Sequence, residues 1–386
     1  MRRHKYSLTC HFLHLCLNWL FFFFFSTYKR NTDNMPFKSR WQVDIPDAHL
    51  ASFLFKSPSH PLPKDNRSFS EAANPDRYFT THDFRLWCQR FAAGLRKSGV
   101  QTGDRVLLFS GNNLFFPVVF MGTIMAGCIF SGANPTFTPS ELAYQLQDSG
   151  STYLICAEAS IDTGIEAARL AGLGQDRVFV FDDALYEGRG QAQKGCKHWK
   201  ELVASVEEGS QFVWEELSTP EAANRTLALN YSSGTTGKPK GVEITHKNYV
   251  ANTIQYSYLF YLNPDYKERL TRTRLLCYLP MYHAMAQNIF IAGALERGVP
   301  VYIMPKFDFI KMLEYTAKYR VTEVIAVPPV IVALAKHPDV RSGKYDLSCV
   351  QTVGSGAAPL GREVSEELES IWPGKINVKQ AWGMTE

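Results

Sequence analysis

Short apolar runs of strand length recur through most of the chain with amphipathic stretches between them, and that alternation leaves few folds open. RVLLFS at 105–110, TYLICA at 152–157 and RVFVFDD at 177–183 read as buried strands. Strand signals resume at TLALNYSS, LLCYLPM, VPVYIMP, TEVIAVPP, LSCVQTVGSG and INVKQAWG. Between Asp83 and Lys97 the apolar residues Phe84, Trp87, Phe91 and Leu95 fall at helical spacing. Thr138, Pro139, Ser140 and Glu141 form a capping box with proline in the first turn, so another helix opens there. Near-continuous apolar strands alternating with helices predict an α/β fold of layered, largely parallel sheets flanked by helices. With 386 residues and 45% hydrophobic content the chain can bury a large core, which excludes disorder for most of it.

A polar, glycine- and charge-rich stretch from Glu187 to Pro220 interrupts the rhythm, and a subdomain boundary is expected there (187–220). No repeat at a fixed period is apparent. Residues 1–34 stand apart from the rest as an extension, and 35–386 read as one large unit. Arg2, Arg3, Lys5, Lys29 and Arg30 against Asp33 hold the whole formal excess of +4, so the remainder is neutral. No basic stripe is left to bind nucleic acid. FLHLCLNWLFFFFF at 12–25 fits a signal-peptide core or a short anchor better than a full membrane span. Met35 begins MPFKSRWQVDIP, which reads as the start of a cytosolic enzyme, so an artefact of gene prediction is the competing reading of residues 1–34. The eight cysteines show no CxxC pair or regular spacing and read as small buried hydrophobes in a reducing compartment.

The strongest chemical signal is YSSGTTGKPKG at 231–241, directly after TLALN. Alternating serine, threonine and glycine let backbone N–H groups and hydroxyls close around phosphate oxygens, and Lys240 adds a positive charge. The spacing is not that of a Walker A loop. A flexible linker has similar composition. The preceding strand, the helix-like Thr245–Leu259 and the two lysines favour a phosphate site.

These residues resemble the signature loop of the adenylate-forming superfamily, which includes acyl-CoA synthetases, 4-coumarate-CoA ligases, firefly luciferase and nonribosomal peptide adenylation domains. LPMYHA at 279–284, GSGAAPL at 354–360 and QAWGMTE at 380–386 resemble three further motifs, in the family's order. The resemblance runs from about residue 35 to the end of the chain, and the motifs look most like those of 4-coumarate-CoA ligases and their relatives. It implies ATP-dependent activation of a small-molecule carboxylic acid to acyl-AMP, then transfer to coenzyme A, with Mg²⁺ on the phosphates. Such chemistry consists largely of positioning anions and stabilising charge on phosphates.

By that resemblance Ser232, Ser233, Gly234, Thr235, Thr236 and Gly237 cradle phosphates, and Lys240 neutralises the departing pyrophosphate. Glu386 ligates Mg²⁺, a hard cation suited to carboxylate oxygen. Thr385 bonds the α-phosphate, Gly356, Ala357 and Ala358 pack against adenine, and Gln380 belongs to the same nucleotide site. Trp382 stands where the family usually has a tyrosine stacked on the base. His283, Met285, Ala381 and Gly383 line the acid's pocket. A lone histidine in an apolar segment is more often structural, and only the resemblance places His283 at the pocket mouth. Glu366, Glu367 and Glu369 read as a solvated helical face.

Two departures bear on the acid. Ala381 replaces a common glycine, and Met285 stands where 4-coumarate ligases carry an aromatic. An added methyl in a tight pocket costs about 1–3 kcal/mol for a substrate that needed the space. This counts against a hydroxycinnamate, and a smaller aryl or a flexible aliphatic acid is expected equally. The resemblance also implies a C-terminal domain, carrying a catalytic lysine, that this chain lacks; the chain alone is expected to be inactive. A truncated acid–CoA ligase and a noncatalytic nucleotide-binding or regulatory protein are both left open. Cytoplasmic or peroxisomal placement is implied for a complete relative, with membrane association only if 12–25 is an anchor.

Overall fold

The computed structural model of the chain describes residues 39–56, 65–232, 237–374 and 376–385. Two seven-stranded sheets carry the fold. The first runs from edge to edge Lys197–His198, Val178–Phe181, Ser151–Ala157, Arg105–Phe109, Ile129–Ala133, Thr226–Ser232 and Lys240–Thr245. The second runs Val378–Gln380, Thr352–Ser355, Glu323–Ala326, Leu275–Cys277, Val301–Ile303, Arg67–Glu71 and Tyr78–Thr80. Neighbours are parallel except the final pair of each sheet, Thr226–Ser232 with Lys240–Thr245 and Arg67–Glu71 with Tyr78–Thr80.

The apolar runs are continuous because the strands are buried on both faces. Along Arg105–Phe109, Val106 and Leu108 enter the main core, whereas Leu107 and Phe109 pack in a second cluster with Leu142 and Ile161. The main core draws Phe130 from the first sheet and Leu275 and Val301 from the second into one cluster. Helix Phe116–Met125 is apolar all round and has every residue buried within that core. Helix Thr81–Lys97 starts at the Thr80/Asp83 capping box and buries Phe84, Phe91 and Leu95, the face its spacing predicts. The capping box at Thr138 and Glu141 likewise opens helix Pro139–Ser149.

The stretch from Glu187 to Pro220 supplies the edge strand Lys197–His198 and buries Trp199 edge-on against Phe91, Phe115 and Phe181. The predicted helix after the glycine-rich loop is present as His246–Tyr261, capped by Thr245. Strand Lys240–Thr245 intervenes, so the loop joins two antiparallel strands and not a strand and a helix N-terminus. The six described cysteines are free and buried. The apolar run at 12–25 lies outside the described residues, among which no helix is long and apolar enough to cross a membrane.

Candidate functional site

Ser232 pairs with Lys240, and Tyr231 with Gly241, across the hairpin that carries the glycine-rich loop. Ser233, Gly234, Thr235 and Thr236 lie outside the described residues, as does Glu386. Gly237 has φ 103°, a left-handed conformation that side-chain-bearing residues rarely adopt. Lys240 opens the edge strand with its side chain exposed to solvent.

The other motifs gather at the carboxyl ends of the second sheet's parallel strands, where open α/β sheets bind ligands. Leu275–Cys277 leads into 279–284, Thr352–Ser355 into Gly356, Ala357 and Ala358, and Val378–Gln380 into 381–385. The Gly356 amide donates to the Ala326 carbonyl (3.2 Å), and the Ala381 amide to the Ser355 carbonyl (2.8 Å). A methyl group on Gly356 would sit 3.5 Å from Met285 Sδ and 3.6 Å from the Ala381 carbonyl oxygen, so these three expected site residues share one wall. Ala357 is held at φ 70° and, like Ala358 and Gly383, is exposed. Trp382 is 71% exposed. Thr385 is half-buried. Gln380 is exposed at the strand end and folds onto Leu360: its Oε1 accepts from the Leu360 amide (3.3 Å) and its Nε2 donates to the Leu360 carbonyl (3.2 Å). It ties the Gly356–Leu360 turn to the neighbouring strand.

The segment after Leu275–Cys277 carries His283 and Met285. The His283 ring stands 4.5 Å from that of Tyr282, and partial desolvation lowers its pKa. Neutral imidazole is therefore its state at pH 7. The helix that follows includes a π-helical turn, Gln287–Ala292, a local geometry frequent at functional sites. Gln287 at its start is fully buried, and its Oε1 accepts from Asn230 Nδ2 (3.0 Å) and from the Tyr249 hydroxyl (2.5 Å). Asn230 stands two residues before Ser232, so this contact joins the stem of the glycine-rich loop to the segment bearing Met285. Gln287 Nε2 and Asn230 Oδ1 are left without partners.

Neither Gln287 nor Asn112 was singled out from the sequence. Buried Asn112, in the loop after Arg105–Phe109, bonds the backbone of Leu279, Met281 and Met304. A pair of polar residues, Gln287 and Asn288, ahead of an apolar run was the only signal for Gln287, and the Gly-Asn-Asn loop gave none for Asn112. Nearby, a methyl group placed on Gly132 would meet Tyr282 Cα at 3.0 Å, so the first sheet abuts the 279–284 segment directly. Glu366 and Glu367 pair with Arg362 and Arg341 at the surface, as a solvated face should. Glu369 instead accepts from the Val378 amide at 2.7 Å, at the start of the strand leading to Gln380.

Known proteins share both the sequence pattern and the architecture. Among curated relatives, phenylacetyl-CoA ligase epaB of Aspergillus niger is 32% identical over 353 residues, 91% of this chain and 63% of that protein. 4-Coumarate–CoA ligase 3 of Arabidopsis thaliana is 33% identical over 89% of this chain and 57% of its own length. The chain thus spans less than two thirds of these relatives. The luciferase-like enzyme of the mealworm Zophobas morio superposes with a TM-score of 0.73 at 20% identity, over 90% of this chain and 74% of that one. ATP-bound MatB of Rhodopseudomonas palustris gives 0.67 at 24% identity, over 88% and 60%. Both likenesses concern the fold. The sequence model described as AMP-binding enzyme matches residues 62–386, the span that holds both sheets and all four motif segments, and the chain belongs to that family.

Proposed function

We propose that this chain is the nucleotide- and acid-binding body of an acid–CoA ligase, which activates a carboxylic acid with ATP and passes the acyl group to coenzyme A. The observation that carries this reading is the convergence of motifs. A hydroxyl- and glycine-rich hairpin with an exposed lysine stands on one sheet, and Gly356, Met285 and Ala381 share a wall at the carboxyl ends of the other.

In this reading Ser232 to Gly237 surround the β- and γ-phosphates, and the exposed Lys240 ammonium draws off charge as pyrophosphate leaves. Gly356, Ala357 and Ala358 form the adenine's bed, with Trp382 available to stack, and Gln380 holds that bed in shape through Leu360. Thr385 donates to the α-phosphate. Among the described residues no group of three His, Cys, Asp or Glu could cage a metal. Mg²⁺ suits such a site, because it is commonly held by one carboxylate together with substrate phosphates, and Glu386 supplies the carboxylate. When bound, the ion neutralises phosphate charge. Neutral His283 with Met285, Ala381 and Gly383 lines the acid's pocket. The Met285 thioether and the Ala381 methyl favour a smaller aryl or a flexible aliphatic acid.

Binding of MgATP to the full chain, measured by calorimetry, tests the reading. Lys240→Ala should weaken MgATP about 10- to 100-fold, the worth of one hydrogen bond to a charged group, and leave affinity for phenylacetate or hexanoate as it was. Equal MgATP affinity in wild type and variant would remove Lys240 from the site. No binding by wild type would remove the nucleotide site itself.

A further inference from the structure

Helix Pro139–Ser149 touches both stems of the glycine-rich hairpin. Tyr144 and Asp148 stand one turn apart and so project from the same face. The Tyr231 hydroxyl, on the strand entering the loop, donates to Asp148 Oδ2 at 2.7 Å. Just before the strand leaving it, the Pro239 carbonyl accepts from the Tyr144 hydroxyl at 3.1 Å, and the Lys238 ammonium lies 5.3 Å from the Tyr144 ring centre. The Tyr231 ring in turn lies across Gly241: a methyl group there would sit 3.0 Å from Tyr231 Cζ and 3.1 Å from its hydroxyl oxygen. The last glycine of the motif therefore gives room to the tyrosine that the helix holds.

A loop rich in glycine is costly to order. Fixing each backbone residue costs about 1–2 kcal/mol in lost entropy, and glycine costs more than other residues. An element that fixes both stems before the ligand arrives removes part of that cost from binding. Helix Pro139–Ser149 is suited to this, because its own start is fixed by the Thr138/Glu141 capping box and Leu142 and Leu146 are buried in the core.

We propose that Tyr144 and Asp148 are positioning residues that preorganise the phosphate loop by clamping its two stems to one helix. The inference rests on the nucleotide-binding reading. Neither side chain touches the ligand; both act through Tyr231 and Pro239.

The test uses the full chain with MgATP and with phenylacetate or hexanoate. Asp148→Ala and Tyr144→Phe should each raise the MgATP dissociation constant about three- to tenfold, the range of one hydrogen bond, and leave acid affinity unchanged. Without nucleotide, amide hydrogen exchange at 237–241 should quicken in both variants while helix Phe116–Met125 keeps its protection. Asp148→Asn retains an acceptor for the Tyr231 hydroxyl and should recover most of the lost affinity, which a general loss of stability would not allow. Tyr231→Phe removes one oxygen only, and reports on the same contact should Asp148→Ala fail to fold. Wild-type MgATP affinity and wild-type exchange at 237–241 in all these variants would overturn the clamp alone. Absence of MgATP binding by wild type would overturn the nucleotide reading and the clamp with it.

Discussion

The Met281 amide donates to Asn112 Oδ1 at 2.8 Å, and the Nδ2 of the same side chain donates to the carbonyls of Leu279 (3.0 Å) and Met304 (3.2 Å). One buried carboxamide on the first sheet's side thus satisfies three backbone groups of loops on the second. The loop holding Leu279 and Met281 leads into His283 and Met285, so Asn112 sets where the segment proposed to line the acid's pocket begins. Asn112→Ala leaves buried backbone groups unpaired and should cost about 2–4 kcal/mol of stability in urea unfolding. Asn112→Asp should rescue little, since it keeps the acceptor, loses both donors and brings a charge into the core. A wild-type urea midpoint in Asn112→Ala would show that the three bonds are replaced without loss.

Ala357 offers a case where a glycine should improve the fold. Its φ of 70° is left-handed, which costs an L-residue about 1–2 kcal/mol. Replacement by glycine removes that strain and adds about 0.4–1 kcal/mol of unfolded-state entropy to be lost on folding. The first effect is the larger, so Ala357→Gly should raise stability by about 0.5–1 kcal/mol. A lowered melting temperature would mean that the Ala357 methyl makes a contact worth more than its strain.

Arg297 and Glu323 form a buried ion pair at 2.8 Å, with the guanidinium also over the rings of Tyr256 and Phe260. Both side chains are almost wholly out of solvent, so removal of one partner strands a charge. Glu323→Leu alone should cost about 3–5 kcal/mol, whereas Arg297→Met combined with Glu323→Leu should recover much of it. A double-mutant cycle read by chemical denaturation checks this. Additive losses would argue that the charges are held by other groups.

Much of the fold was legible because parallel strands covered on both faces must be apolar throughout. RVLLFS, TYLICA and TEVIAVPP carry that signal locally, and each is a strand in the structure. Strand Lys240–Thr245 escaped because it is an antiparallel edge: Val242 is only partly buried, Lys240 and Glu243 face water, and the helix cap at Thr245 dominates the pattern. The motif segments could be placed on strand ends, and Gly356, Met285 and Ala381 do meet. The contacts that bring them together were not legible. Asn112 reaches Met281 across 169 residues and Asn230 reaches Gln287 across 57, and neither distance leaves a mark in local composition. Gln380 is expected at the nucleotide, and its bonds to the Leu360 backbone were likewise not legible.

The last prediction concerns acid. The rings of buried His49 and His246 lie 4.3 Å apart at a tilt of 43°, and both act as neutral acceptors: His246 Nδ1 takes the Leu50 amide and His49 Nδ1 takes that of Ala51. Burial lowers His49 from 6.5 to about 4, with Arg225 pushing the same way against the Ile124 carbonyl and the carboxylates of Glu216 and Glu215. His246 is lowered for the same first reason, and by His49 and Arg225 as well. Between pH 6.5 and about 4 the unfolded chain therefore takes up protons that the folded chain refuses. The stabilisation is present above pH 6.5 and is lost as pH falls through that window. At pH 5.5 His49 alone should account for a loss of about 1 kcal/mol. His49→Asn and His246→Asn keep an acceptor near the Nδ1 position and cannot be protonated there. The double variant should thus start less stable at pH 7.5 but lose less on going to pH 5.5, as followed by urea midpoints at the two pH values. If wild type and double variant lose the same amount, acid sensitivity in this range comes from other groups.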